Sequence, residues 1–477
     1  MHFSSSTHSQ YNQGYLLVLV LVLGSVFIMI IGSFITYVIS QNQVVNFRYE
    51  QQRATEIAEA GLNYYKWYLA HFPNDVTNGT GLPGPYVETY SDPEGGVIGE
   101  FSLSIASTTY CGAIASIEVT STGRTDVNPD AVSIISARYT RPTVAEYSFI
   151  TNDGVWYGAG GTILGPLHSN NGIRMESAHN SFIGSGQANW TCNSSYGCNP
   201  NQTVDGVYTT SGNATPGLFS FPVAPIDFAG MTLDLSDMRS KSQNNGGIYY
   251  GPSGGFGYNV TFNGDSTLRV ERVTGTLDYR SQSSAEGTHW GERNIITNDT
   301  FLATHTISAD CPLLFFEDKV WLQGDVNQKV TLAAANLSSG AQTNIVINGD
   351  IEYVPGSEAG LLVIAEDDLD LGVTVPNDMI MEGIFIAQNG RYGRNHYSTS
   401  WFTNAYDQFV LRNSLTRLGT VVTNNRAVTT WVNSGGNPVS GFRDGTSSFD
   451  RNQIDSPPPL TPETSDVYSF TDWRQEG

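Results

Sequence analysis

Charge is what this sequence has least of. Asp, Glu, Lys and Arg together make 14% of it, against roughly 25% in an ordinary soluble domain. Lysine is nearly absent, at Lys66, Lys241, Lys319 and Lys329 only. The balance, 23 basic against 45 acidic residues and a formal net charge of −22, sets up a field that repels phosphate backbones and excludes nucleic acid as a partner. No charged residue precedes Arg48 and no proline precedes Pro73, so nothing there breaks a helix or keeps it out of lipid. Histidine is scattered over His2, His8, His71, His168, His179, His289, His305 and His396, with no pair at the spacing a metal site needs. What the chain has instead is glycine (50) and aromatics (24 Tyr, 22 Phe, 8 Trp), a composition of turn-rich β structure rather than disorder. Its 477 residues allow two to four domains at roughly 100–200 residues each.

Residues 15–40 are almost wholly apolar. About 20 such residues span a bilayer. A signal peptide has a shorter apolar core of roughly 7–15 residues behind a basic start and before a small-x-small cleavage site, and this segment has none of these features. Beyond it, Phe47, Ala54, Ala58, Gly61, Tyr65, Tyr68 and Phe72 recur at spacings of 7, 4, 3, 4, 3 and 4, one stripe of an α-helix. The segment therefore reads as one helix, a transmembrane half at 15–40 and an exported amphipathic half at 41–72, about 87 Å long in all. The stripe is expected to pack against neighbouring subunits. The alternative is a plain anchor followed by a separate amphipathic helix. Counting Arg48 and Arg53 alone places the C-terminal side in the cytoplasm. The acidic bulk of the chain and a short cysteine-closed loop favour export, and long domains cross largely regardless of charge. The expectation is a single-pass membrane protein with its large domain outside the cell.

These residues carry a resemblance. Gly14-Tyr15 before an unbroken apolar run resembles a type IV prepilin junction, with residues 1–14 as the leader-like segment. Arg53-Ala-Thr-Glu-Ile-Ala-Glu-Ala-Gly-Leu62 resembles the Ala-Glu-Ala-Gly-Leu signature of PilX-type minor pilins. The leader lacks basic residues, and Leu19 stands where major pilins carry Glu, which fits a minor subunit better than a bulk one. The resemblance implies a subunit that assembles with other pilin-like subunits at the cell surface. Residues 73–143 extend it: alternating runs at 100–105, 115–120 and 132–139 form a small antiparallel sheet, and Thr120-Ser-Thr-Gly-Arg124 with Arg141-Pro142 is similar to the same family.

After Pro142 the pattern changes to short apolar runs closed by Gly and Asn. Val320-Trp-Leu-Gln-Gly-Asp-Val326 matches Ile345-Val-Ile-Asn-Gly-Asp-Ile351 at an offset of 25, and Gly stands six residues before Asn at 165–171, 383–389 and 419–425. Recurring strands closed by Asn turns are what stacked rungs require. The fold class expected is mainly β with one long N-terminal α-helix: a pilin-like helix and small sheet, then a right-handed parallel β-solenoid-like domain over 144–455. The rival is an antiparallel β-sandwich. Residues 226–277 read as a lateral insertion with a hairpin at 257–270, and 456–477 as a Pro-rich strap. The ending, with Asp455-Ser-Pro-Pro-Pro459 and Asp472-Trp-Arg-Gln-Glu-Gly477, resembles bacterial surface proteins that join a PilX-type N-terminus to a solenoid-like domain.

Candidate chemistry is sparse. Cys192 and Cys198 enclose a polar loop and read as a disulfide. Cys111 and Cys311 read equally as a pair or as two buried thiols. Glu366-Asp-Asp-Leu-Asp370 is dense enough in oxygen ligands for Ca²⁺ but lacks the EF-hand pattern. No nucleophile elbow, catalytic triad or phosphate loop occurs; Gly158-Ala-Gly-Gly161 is too short and lacks a following Lys. The reading is therefore no enzyme, no catalytic residue, no metal and no cofactor. It leaves a surface adhesin or glycan-binding module as one alternative, with a surface glycan, host or cell as partner. A polysaccharide-active enzyme using Asp367, Asp368, Arg391, Arg394 and His396 is the other.

Overall fold

The computed structural model describes residues 13–72, 75–229, 234–284, 287–337, 342–402, 404–465 and 467–476. Nearly all of the leader-like segment 1–14 lies outside them. The chain divides into two compact units, one of residues 1–106, 118–138 and 472–477, the other of 107–117 and 139–471.

The first unit is built on α1 (Gln13–His71), one continuous helix of 59 residues with no break at 40–48. It lies on a sheet of order β1 (Tyr86–Ser91), β2 (Val97–Tyr110), β3 (Ala113–Thr125), β4 (Val132–Thr140) and β5 (Ser469–Glu476). β1 and β2 pair antiparallel. The end of the expected strap is thus a strand of this sheet, while its Pro-rich part has no regular structure.

The packing corrects the reading of the helix stripe. Ala54, Ala58, Gly61, Tyr65 and Tyr68 are buried, together with Ile57, Leu62 and Leu69, and they face the chain's own sheet. A Cβ added at Gly61 would meet Phe101 at 2.9 Å and the hydroxyl of Ser121; one added at Gly123 would meet the backbone of Ala54 and Ala58. Thr55 Oγ1 donates to Ser133 Oγ at 2.9 Å and Tyr65 donates to the Val76 carbonyl at 3.0 Å. Only the stripe's ends, Phe47 and Phe72, are exposed. Helical periodicity shows which face is buried, not what buries it.

The second unit is a stack of parallel strands. One in-register column runs Ile248, Leu314, Leu332, Val363, Phe385, Val421, Phe149, Leu167, Ile183 and Phe219. A second runs Tyr258, Val320, Ile345, Leu369 and Tyr392. A third runs Met381, Arg417, Ser447, Ile163 and His179. Side chains alternate across a strand, and the inward ones of all three columns make one apolar core. Val320–Leu322 pairs parallel with Ile345–Ile347, the pairing that an antiparallel sandwich lacks.

The glycine-to-asparagine motif has a physical basis here. Gly165, Gly383 and Gly419 sit at φ of +137°, +148° and +122°, where an L side chain is strained. Gly383 pairs with Gly419 directly. The asparagines beside the motif stack: Asn170 Nδ2 donates to Asn152 Oδ1 and Asn152 Nδ2 to Asn424 Oδ1, each at 2.9 Å, while of the motif asparagines themselves Asn425 Nδ2 donates to the Asn389 carbonyl at 3.1 Å. The Gly-Asp pairs do not stack as their repeat suggests. The register shifts after Leu322, so Gly324 faces Ile351 and Asp325 faces Glu352. Gly349-Asp350 is left in the bulge, where Asp350 accepts from the Ile380 amide at 2.8 Å.

Rung order differs from chain order. The strand Phe149–Thr151 enters in the middle of the stack, and the chain builds outward through Leu167–Ser169 and Ile183–Ser185 to Phe219–Ser220. It then resumes at the opposite end with Ile248–Tyr250 and returns, rung by rung, until Val421–Thr423 closes against Phe149–Thr151. The stack is a circular permutation of one continuous climb. The link between the ends, with α2 (Leu235–Asn244), crosses the outer face of the first column. There Ile226, Phe228, Leu235 and Met238 cover Ile150, Phe315, Ile364 and Ile386. Strands buried on both faces explain unbroken apolar runs such as Leu313–Phe316 and Gly360–Ala365.

The range 226–277 is not one insertion. Ile248–Tyr250 and Gly257–Asn263 are rung strands, pairing parallel with Leu314 onward and with Val320 onward. The excursion is the long antiparallel arm of Thr267–Ser283 and Gly287–Thr306, whose second strand lacks a strong apolar alternation.

Candidate functional site

Two features have functional character. The first is the exposed part of α1. From Tyr15 (75% exposed) to Phe47 (45%) its apolar side chains cover nothing in the structure. The helix is long and apolar enough to cross a membrane, and its most apolar 18-residue window has a mean hydropathy of 2.9. Gly14 and Tyr15 both lie in its first turn, and the Gly14-Tyr15 bond carries no further structural signature.

The second is a buried charged cluster in the strand stack, around a cavity of about 190 Å³ lined by Glu292, Lys319, Asp368, Asp370, Arg391 and Asn395 among others. Asp368 and Asp370 are two residues apart about the strand Leu369–Leu371 and so share the face opposite the core residues Leu369 and Leu371. Arg391 comes one rung later. Its Nη2 meets Asp370 Oδ1 at 2.9 Å and its Nε lies 3.6 Å from Asp368 Oδ2, and its amide donates to Asp368 Oδ1 at 2.7 Å. Glu292 arrives from the long arm. It accepts from Asn395 Nδ2 at 3.1 Å and from Asn294 Nδ2 at 2.5 Å. Lys319 Nζ bonds Asn294 Oδ1. Burial, then the neighbouring Asp370 charge, pushes Asp368 up to about 7 against the pull of Arg391. Burial and Asp370 likewise raise Glu292. Burial lowers Lys319 in spite of the carboxylates around it.

Of the five residues named for polysaccharide chemistry, only Asp368 and Arg391 belong to this cluster. Arg394 donates instead to the carbonyls of Val373 and Phe409 at 3.0 and 2.6 Å, between the rings of Tyr397 and Phe442. His396 packs on Trp401 and Trp431. Asp367 is outside the cavity lining. The run 366–370 does not converge on a common point: Glu366 accepts from the amides of Asn336 and Thr343, whereas Asp368 and Asp370 turn to Arg391. Among the described residues, no group of three His, Cys, Asp or Glu is placed to hold a metal. Glu292 and Lys319 carry no motif; only the pairing of distant strands brings them in. The arrangement holds a carboxyl that exchanges its proton near neutrality beside a fixed guanidinium. Each of its carboxylates is already bonded within the cluster, so its evident work is to fasten the arm to the rungs.

Both cysteine pairs are bonded. Cys192–Cys198 closes the loop that holds Trp190 and Tyr196, and Cys111–Cys311 joins residues 200 apart.

No family model matches the chain, and neither does any curated protein. Among solved structures, the competence-associated pilin ComZ from Thermus thermophilus aligns over 90% of this chain and 97% of its own, at 13% identity and a TM-score of 0.26. At that score the alignment establishes no shared fold, and no argument below rests on it.

Proposed function

We propose that this chain is a membrane-anchored, pilin-like structural subunit, of the PilX-type minor class, that displays its strand stack outside the bacterial cell. The observation that carries the reading is the division of α1. Its first part presents an unbroken apolar surface to lipid or to neighbouring helices, and its second part is committed to the chain's own sheet. Contact with other pilin-like subunits then falls to residues 15–49 and not to the stripe between Ala54 and Tyr68. Two disulfides support export, since such bonds persist outside the cytoplasm. The charged cluster is structural in this reading and the chain is not an enzyme.

The test is mass spectrometry of the mature N-terminus from membranes of the native host. A chain beginning at Tyr15, with a longer chain accumulating in Gly14→Arg, supports a processed pilin-like subunit. A wild-type chain that keeps Met1 refutes processing and leaves a plain membrane anchor.

A further inference from the structure

We infer that the place where the permuted stack closes on itself is a binding site for a small carboxylate-bearing sugar. The inference is independent of how α1 is used. A cavity of about 420 Å³ opens there, inside the range of roughly 300–1,000 Å³ typical of small-ligand sites. Its floor is buried: Phe149, Val155, Ile163, Tyr392 and Ser447. Its rim is exposed, with Gly158–Gly160 on one side and Gly436 and Arg443 on the other.

The decisive position is Arg417. It shares an inward column with Met381 one rung below and with Ile163 two rungs above, both buried apolar residues. The same column also carries the polar Ser447 and His179, and among its members only Arg417 brings a guanidinium beside the buried Met381 and Ile163. It packs on the Tyr392 ring at 5.6 Å and donates from Nη2 to Ser447 Oγ at 2.5 Å. Its buried Nε has no hydrogen-bond partner, and among the described residues Arg417 is in no ion pair. A buried donor left unpaired costs about 1–3 kcal/mol. A ligand oxygen reaching it removes that cost.

The other titratable groups on the wall favour an anion too. Arg443 adds a second guanidinium against the single exposed carboxylate of Asp444, Arg426 lines the wall but turns its guanidinium to the Ser195 carbonyl and the Tyr196 ring, and Tyr157 and Tyr392 complete the set. Guanidinium recognises a carboxylate in a planar two-point contact. The chain's net charge of −22 disfavours polyanions at long range, so one carboxylate fits better than a phosphate chain. Trp156, Tyr157 and Tyr392 offer ring faces, and Ser177, Thr162 and Thr430 offer hydroxyls. A ligand with one acid group, several hydroxyls and apolar ring faces matches that wall, and a uronic-acid disaccharide has the size.

The test uses the full chain in detergent, titrated calorimetrically with the disaccharide of glucuronate and galactose, which carries one carboxylate, with the neutral disaccharide of glucose and galactose in the same linkage, and with glutamate. Binding of the acidic disaccharide at least about tenfold tighter than of either other probe is expected. Equal binding of the neutral sugar removes the acid from the argument, and equal binding of glutamate removes the sugar. No binding of the acidic disaccharide overturns the site. Arg417→Met places in the column the side chain already present at 381, so it should fold, melt no lower than wild type, and lose at least about tenfold in affinity. If it binds as wild type does, the proposal fails. Gly158→Trp is the second variant, because a side chain there meets nothing within 4 Å and narrows the rim. It should weaken binding without lowering the melting point, and unchanged binding rejects this location.

Discussion

Replacing Gly123 by alanine tests the reasoning about the first unit most severely. The new methyl would fall 2.5 Å from the Ala58 amide nitrogen and closer still to the Ala54 carbonyl oxygen. Both are backbone atoms of α1, so no rotamer change relieves the clash. An ordinary carbon contact needs roughly 3.5 Å, and the helix must rise by about 1 Å. A gap of that size forfeits a quarter to a half of each dispersion contact across it, and Ala54, Ile57, Ala58 and Leu62 all lie along it. With overpacking alone worth about 1–3 kcal/mol, the loss should reach about 3 kcal/mol. Gly61→Ala is the control. Its obstacles are side chains, the Ser121 hydroxyl and the Phe101 ring, and Ser121 Oγ is buried with no hydrogen bond to lose. Gly61→Ala should cost about 1–2 kcal/mol, and adding Ser121→Ala should restore about 1 of it. Ser121→Ala should restore nothing to Gly123→Ala. Native-state hydrogen exchange at amides 50–69 reads these differences locally. If Gly123→Ala exchanges within about 0.5 kcal/mol of wild type, the close approach of helix and sheet is not as described.

Three further expectations concern the strand stack. In the chain-entropy account, the Cys111–Cys311 bond, 200 residues apart, should stabilise by about 5 kcal/mol and the six-residue Cys192–Cys198 bond by about 2; denaturant titration of the two double-serine variants should rank them in that order. Asp368 holds its proton up to about pH 7 when folded and to about pH 4 when unfolded. Its contribution is therefore full below pH 4 and is lost as pH rises to 7, so the melting temperature should fall across that window and Asp368→Asn, which keeps the acceptor for the Arg391 amide, should flatten the slope. Asn152→Ala removes both amide bonds of the stack's closing rung and should cost about 1 kcal/mol by chemical denaturation; no change would make the asparagine column incidental.

The long helix was legible because its period is local and no proline interrupts it. The rungs were legible through glycines that must adopt positive φ at 165, 383 and 419 and through asparagines that bond their counterparts on neighbouring rungs. Two signatures that a resemblance supplied, Arg53–Leu62 and Thr120–Arg124, prove to be opposite sides of one contact: Gly61 and Gly123 are where helix and sheet touch. What stayed hidden is what depends on distant partners. Nothing near Phe149 says that its neighbour is Val421. Nothing near Glu292 points to Arg391, because the arm that delivers it pairs with itself over most of its length. The cavity at the closure is hidden for the same reason. Arg417 is an ordinary residue of a strand until the register sets it over Met381.

The permuted order has a consequence in time. A chain made from its N-terminus completes the strand Phe149–Thr151 about 270 residues before the strand that pairs with its lower edge, Val421–Thr423. At roughly 5–20 residues per second that is on the order of 14–54 s of synthesis. The rungs from 149 to 220 can stack in the meantime, but their first strand keeps an open row of amides and carbonyls, the template on which foreign strands pair. The molecule's most vulnerable edge during its making becomes, once closed, the middle of its fold.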